Sequence, residues 1–190
     1  MKFYCLAAVV AVLLLCSRAQ SQESRTSPSE DEIKLVMTQT DRALAEYSAA
    51  VERERKLYGD RVDVRNDQDV IDGLATFSKG MGAEPQRFNS PFGFEIVLLL
   101  DDASRNAALC NAGAISEGVK ATMAKQTEAA EDYLQLAQEC TSVSSLLYTV
   151  SENAAALYRR YVNREQEAAT KAFDAMNKCI AVLKQQKSKQ

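Results

Sequence analysis

The sequence contains no histidine and no tryptophan, and its 190 residues include only three prolines, seven glycines and five cysteines. Without histidine, the chain cannot build a Ser–His or Cys–His catalytic pair, and it offers no imidazole ligand for a metal. A cysteine nucleophile would have no histidine base beside it. The glycine patterns of P-loop, dinucleotide-binding and nucleophile-elbow proteins are also missing. These absences predict a protein that is not an enzyme and that uses neither a cofactor nor a metal.

The first 21 residues have the features of a secretory signal peptide. Lys2 gives a positive start, an apolar run extends from Cys5 to Cys16, and small residues follow at Ala19 and Ser21. The run of about twelve residues is shorter than the roughly 20 that a membrane-spanning helix needs. The sequence therefore predicts cleavage after Ser21, with Ala19 as the alternative position, and secretion of the mature chain.

The mature chain is expected to be mildly acidic. The full sequence carries 23 basic and 26 acidic residues, and removal of Lys2 and Arg18 leaves 21 basic against 26 acidic, a net charge of −5. This balance argues against nucleic acid as a partner. The polar, basic C-terminus lacks the hydrophobic tail of a lipid-anchor signal. We therefore expect an extracellular protein with no membrane span and no nucleic-acid partner.

Helical patterns begin after a polar leader. Residues 22–29 are rich in serine and are expected to be disordered. Ser29 and Glu32 have the spacing of a capping box, which predicts the start of an amphipathic helix. Gly59 is the natural residue to end that helix.

Glycine and proline divide the middle of the chain. A short amphipathic helix is expected over residues 67–79, with the glycines of the following segment ending it. Residues 80–93 contain three glycines and two prolines, which predicts a loop. Ser90–Pro91 is a favourable start for the next, central helix. We expect the glycines of residues 110–118 to break or kink that helix.

The stretch TSVSS at residues 141–145 gives two opposing signals. Its hydroxyl-bearing and β-branched residues favour a turn over a helix. The apolar positions around it nevertheless keep a heptad spacing, which favours one unbroken helix. These positions, which we name the apolar seam, are Leu136, Cys140, Val143, Leu147, Val150, Ala154, Leu157 and Tyr161.

Three cysteines of the mature chain bear on this choice: Cys110, Cys140 and Cys179. Secretion favours a disulfide, and a bridge needs Cα atoms within roughly 7 Å of each other. A turn at 141–145 would place Cys110 and Cys179 at the same level of a helical hairpin, because the midpoint of the two positions lies within that turn. We therefore predict a turn at 141–145 and a Cys110–Cys179 disulfide.

Two other pairings stay open. A Cys140–Cys179 bridge would need a turn near Asn163 and ranks second. A Cys110–Cys140 bridge would need a break near the middle of a helix over 118–140 and ranks third. The favoured pairing leaves Cys140 as a buried thiol of the apolar seam, or as an intermolecular bridge in a disulfide-linked dimer.

Together these patterns predict an all-α protein, an antiparallel bundle of four or five helices with a long C-terminal helical hairpin or coiled-coil-like pair. A single helical domain is expected over residues 30–186, followed by a polar tail at 187–190. The expected function is that of a non-enzymatic, extracellular protein-interaction module, as a monomer or a disulfide-linked dimer. The alternative is a carrier that encloses a lipid or small apolar ligand in the bundle core.

One resemblance adds to this interpretation. The segment LYRRYVNREQEAATKAFDAMNKC, the signal peptide and the wide spacing of Cys110, Cys140 and Cys179 resemble secreted, all-helical insect proteins of the tsetse EP-protein domain type. The resemblance covers residues 95–183 and includes no specific motif. It implies a secreted protein with a role in the gut or in immunity, and it carries over no site residue.

Overall fold

The computed structural model of the chain describes residues 27–59 and 65–187, and the regular structure of these residues is entirely helical. The prediction of an all-α protein is therefore confirmed. The predicted signal peptide lies outside the described residues. The elements are α1 (Glu30–Tyr58), α2 (Arg65–Ala83), a 3-10 helix (Pro85–Phe88), α3 (Pro91–Met123) and α4 (Thr127–Lys187).

The chain divides into two compact units. The first, which we name the helical unit, contains Ser29–Tyr158, and the second contains Met1–Pro28 with Arg159–Gln190. The predicted single domain over 30–186 stays a prediction. Within the second unit, the guanidinium groups of Arg160 and Arg164 donate hydrogen bonds to Ser27. The core and the cysteine bridge described below belong to the helical unit.

Helix α1 begins and ends where the sequence predicts. The Ser29 hydroxyl accepts a hydrogen bond from the Glu32 backbone N–H at 3.2 Å, and the Ser29 N–H donates to the Glu32 carboxylate at 2.8 Å. This reciprocal pair is the expected capping box, and it satisfies two N–H groups that the first turn leaves free. Gly59 ends the helix at a φ of 59°, a conformation that favours glycine.

The prediction that α2 ends at Gly80 was wrong, because the helix continues to Ala83. Neither Gly80 nor Gly82 has a positive φ, and the Glu84 N–H still donates to the Gly80 carbonyl at 3.0 Å. Met81 between them is buried and keeps this turn on the core. The connection to α3 is therefore shorter than the predicted loop.

Helix α3 begins at the predicted Ser90–Pro91 pair, with the Ser90 hydroxyl accepting from the Phe92 N–H. It then runs unbroken through residues 110–118, so the predicted break there was wrong. Gly118 allows a close approach instead, since an ideal Cβ built on it would lie 3.4 Å from the Cβ of Tyr133 on α4. Gly118 therefore allows close packing of α3 against α4 and does not break the helix.

The turn between α3 and α4 lies at residues 124–126. The Gln126 N–H donates to the Ala121 carbonyl at 2.9 Å, and the Lys125 N–H donates to the Thr122 carbonyl at 3.0 Å. This pair of bonds is a Schellman motif with Lys125, at a φ of 58°, in the position that usually holds glycine. A lysine at this position gives the sequence no visible stop signal.

The predicted turn at residues 141–145 was also wrong, because α4 is helical throughout this stretch. The hydroxyl groups of Thr141 and Ser144 form hydrogen bonds without a turn. The Ser144 hydroxyl donates to the Ser104 carbonyl of α3 at 2.9 Å, and the Ser104 hydroxyl donates to the Ser144 carbonyl at 3.1 Å. Tertiary contacts of this kind override a weak helix propensity.

The core of the helical unit is built on the apolar seam. Its members from Leu136 to Leu157 are all buried, and Leu136 and Leu147 have no exposed surface. Small and branched residues of α3 face the core as well, and α1 packs against α2 and α3. The core residues of α1 and α3 are Ile33, Val36, Met37, Ala43, Tyr47, Ala50, Val51, Ile96, Leu100, Ala103, Ala107, Cys110 and Ala114.

Lys125→Gly tests the turn. A residue with a side chain is strained in the left-handed conformation, so we expect the glycine variant to be about 1 kcal/mol more stable to urea unfolding. The matched control is Gln138→Gly, in an exposed position of helical α4, which should lose about 1 kcal/mol. An equal loss in the free energy of unfolding in both variants would show that residue 125 has a helical conformation.

Candidate functional site

The structure joins Cys110 of α3 to Cys140 of α4, with their Cα atoms 6.0 Å apart. The predicted Cys110–Cys179 bridge and the predicted free thiol at Cys140 were therefore wrong, and the pairing that ranked third is the one formed. The side chain of Cys179 lies outside the described residues. In the predicted mature chain, a disulfide-linked dimer would have to use Cys179, since Cys110 and Cys140 are bonded to each other.

The position of the turn explains this pairing. In a hairpin of two helices, residues equally distant from the turn lie at the same level, and the midpoint of positions 110 and 140 is Lys125. That residue is the centre of the Schellman turn. Neighbouring contacts support the same register, since the Asn111 side-chain amide donates to the Ala137 carbonyl at 2.9 Å.

Two cysteine variants test the pairing. Cys179→Ser should keep the mass deficit of one disulfide in the non-reduced protein, whereas Cys140→Ser should lose it. The bridge closes a loop with a sequence separation of 30, so Cys140→Ser should also cost about 3–4 kcal/mol in the free energy of unfolding. Loss of the mass deficit in Cys179→Ser would contradict the Cys110–Cys140 bridge and show that Cys179 takes part in the disulfide.

A small buried polar cluster lies beside this disulfide. The Tyr47 hydroxyl of α1 donates to the carboxylate of Asp67 on α2 and accepts from the Asn106 amide of α3 at 3.4 Å. Glu54 lines the same cavity, whose volume of about 10 Å³ is enough for roughly one water. The cluster therefore ties three helices together through one phenol.

Burial determines the protonation of this cluster. Burial, followed by the hydrogen bond to Asp67, raises the pKa of Tyr47 well above its ordinary value, so the phenol keeps its proton. Burial, followed by repulsion from Asp67, raises the pKa of Glu54. Asp67 lies in the first turn of α2, where the positive end of the helix stabilises a carboxylate.

The chemistry of the cluster is that of a structural contact. A neutral phenol that donates to a carboxylate holds α1 against α2, and the two cysteines that line the same cavity are bonded to each other. Among the described residues, no group of three or more His, Cys, Asp or Glu side chains could hold a metal ion. The cluster has no visible signal in the sequence, because Tyr47 is part of an ordinary apolar stripe and Asp67 follows 20 residues later.

Glu54→Gln tests the protonation of the cluster. Because the folded pKa of Glu54 lies above its ordinary value of 4.5, the folded state holds the proton more tightly, and stability falls as the pH rises between these two values. We expect the glutamine variant to be more stable than the wild type at pH 7 and to match it at about pH 4.

Glu52→Gln is the control for this experiment, since Glu52 is exposed on the same helix and pairs with Lys56 at 3.8 Å. Urea unfolding at both pH values should show little difference between Glu52→Gln and the wild type. Lower stability of Glu54→Gln than of the wild type at pH 7 would contradict a raised pKa of Glu54 in the folded protein.

An exposed apolar surface runs along α3 from Leu109 to Met123, at the end of the helix that leads into the turn. Its four large side chains fall within about 120° of the circumference of α3, at 3.6 residues per turn. We name it the hairpin-tip surface, and it consists of Leu109 (70% exposed), Ile115 (45%), Val119 (52%) and Met123 (80%). The opposite side of this part of α3 is lined by small buried residues, Ala114, Gly118 and Ala121.

This division of α3 has a packing cause. The small residues let α3 and α4 approach closely, and the disulfide fixes their register. Large side chains do not fit into so narrow an interface, so those of α3 point outward near the turn. The Glu117–Lys120 ion pair, at 2.6 Å, adds charged groups beside the apolar ones.

None of the helices among the described residues is long and apolar enough to cross a membrane. Comparison with protein families, with curated proteins and with solved structures finds no match to this chain.

Proposed function

We propose that the protein is a secreted, non-enzymatic interaction module and that its hairpin-tip surface contacts an extracellular protein. The exposure of Leu109 and Met123, 70% and 80%, is the observation that carries this proposal. Grouped large apolar side chains on a soluble protein are typical of interaction sites. Secretion rests on the sequence pattern of the signal peptide.

The packing behind this surface suits it to recognition. The disulfide and the Ala- and Gly-lined interface hold α3 and α4 in one register, so a partner would meet a largely preformed surface. Binding to a preformed surface loses less conformational entropy than binding to a mobile one. The Glu117–Lys120 pair would lie at the polar rim that protein interfaces place around an apolar centre.

The carrier alternative has less support in the bundle core. Leu100, Leu136 and Leu147 are fully buried against their neighbours, and the cavity beside the disulfide has room for roughly one water. A lipid in this core would have to displace the apolar seam. We therefore propose a protein partner for the main function.

The double variant Leu109→Ser/Met123→Ser tests this function. Immobilised mature protein would be exposed to extracellular fluid, and saturable partners would be quantified by mass spectrometry. We expect the double variant to lose binding at least about tenfold, because a few anchoring side chains carry most of the binding energy of an interface and these two are the most exposed of the surface. Its stability should change by less than about 0.5 kcal/mol per substitution, since both side chains are exposed.

Leu35→Ser is the matched control, because Leu35 is a leucine with 60% exposure on α1, outside the hairpin. This variant should capture the same partners as the wild type. Equal capture by the wild type and the double variant would contradict the proposed surface. Discrete small-molecule mass on the native protein would favour the carrier alternative.

A further inference from the structure

A second apolar surface of the helical unit is concave. It is a groove of about 260 Å³ between the end of α2, the 3-10 helix and the beginning of α3. This volume is close to the lower limit of small-molecule sites, roughly 300 Å³. The lining residues are Thr76, Phe77, Gly80, Met81, Arg87 and Phe92.

The walls of the groove are aromatic. The rings of Phe77 and Phe92 lie 6.1 Å apart between centroids, at an interplanar angle of 43°. Phe92 is half-exposed, although it lies next to buried Gly93 at the beginning of α3. Two contacting rings that line a groove offer flat apolar surface to a ligand.

Gly80 keeps the floor of the groove open. An ideal Cβ built on it would have no atom within 4 Å, and its φ is not positive. The fold therefore does not require glycine here, although glycine in a helix costs roughly 0.5–1 kcal/mol relative to alanine. A side chain at this position would project into the groove.

The wall that carries Arg87 is rigid. Phe88 is fully buried, and an ideal Cβ on Gly93 would lie only 2.1 Å from the Phe88 carbonyl oxygen. The Ser90 hydroxyl also donates to the Arg87 carbonyl at 2.5 Å. The groove is thus preformed, and a ligand would not have to order this segment.

The rim of the groove favours negative charge. Arg87 is the only charged residue among the described residues that line the groove, and its partner Glu84 binds it at 2.5 Å in an exposed pair. Such surface pairs contribute roughly 0–1 kcal/mol, so a ligand can replace Glu84 at little cost. The first turn of α3 contains no acidic residue, so the positive end of that helix is not neutralised there.

We propose that this groove binds a small amphipathic carboxylate, with the apolar part of the ligand against the rings of Phe77 and Phe92 and its carboxylate on Arg87. The charge of the rim and the apolar walls define the ligand class, a medium-chain aliphatic or aromatic monocarboxylate. This site is independent of the hairpin-tip surface, and it differs from the bundle core that the sequence suggests for a carrier.

Octanoate is a suitable probe, followed by changes in the amide NMR spectrum of the full mature protein. We expect saturable shifts at residues around the groove and at least tenfold weaker binding of octanol, which has no charge. Absence of saturable shifts up to about 10 mM, a concentration well above millimolar dissociation constants, would overturn the proposal.

Gly80→Leu is expected to fill the groove and to abolish octanoate binding without unfolding α2, because leucine is a better helix former. Gly82→Leu is the matched control, since its Cβ also meets no atom within 4 Å and it does not line the groove. Wild-type octanoate affinity in Gly80→Leu would overturn the proposal.

Arg87→Gln should remove the preference for octanoate over octanol while leaving octanol binding unchanged. Arg105→Gln is its control, because Arg105 forms a similar exposed pair with Asp101 at 2.5 Å, away from the groove. An unchanged preference in Arg87→Gln would show that the guanidinium does not receive the carboxylate.

Discussion

Continuous burial of the apolar seam of α4 from Leu136 to Leu157 is the constraint on which the helical unit depends. Because the seam never loses its phase, the TSVSS stretch stays helical and its residues remain opposite α3. The chain must then reverse before the seam begins, and it does so at Lys125. That position places Cys110 level with Cys140, so burial of the seam determines the turn and the turn determines the disulfide.

Polar groups inside the helical unit mainly determine how the helices align along one another. Ser104 and Ser144 exchange hydrogen bonds between α3 and α4, and Tyr47 joins Asp67 to Asn106 across three helices. A sliding motion of one helix by a single turn would leave these groups buried and unpaired, at about 1–3 kcal/mol each. An apolar heptad seam alone tolerates such a slip, because its apolar residues recur every three or four residues, which is about one turn.

Local signals were sufficient where one segment determines its own conformation. The Ser29–Glu32 capping box, the stop at Gly59 and the Ser90–Pro91 start were all predictable, because each uses contacts within a few residues. The turn at Lys125 was not predictable, since lysine occupies the place of glycine. The predicted cysteine pairing depended on the position of the turn, so it was wrong as well. The Tyr47–Asp67 contact had no sequence signal, because it exists only when α2 packs on α1.

Close packing also determines where recognition is expected. The small residues that bring α3 and α4 together leave little internal space, so large apolar side chains that the core does not accept remain outside. They do so in two different shapes, convex at the hairpin tip and concave beside Gly80. A convex apolar surface with a polar rim suits a protein partner, since interfaces of that kind need an extended contact area. A concave surface with one cation at its edge suits a small anion, whose apolar part needs enclosure and whose charge needs a single partner. The two surfaces use separate residues, so occupation of one leaves the other free.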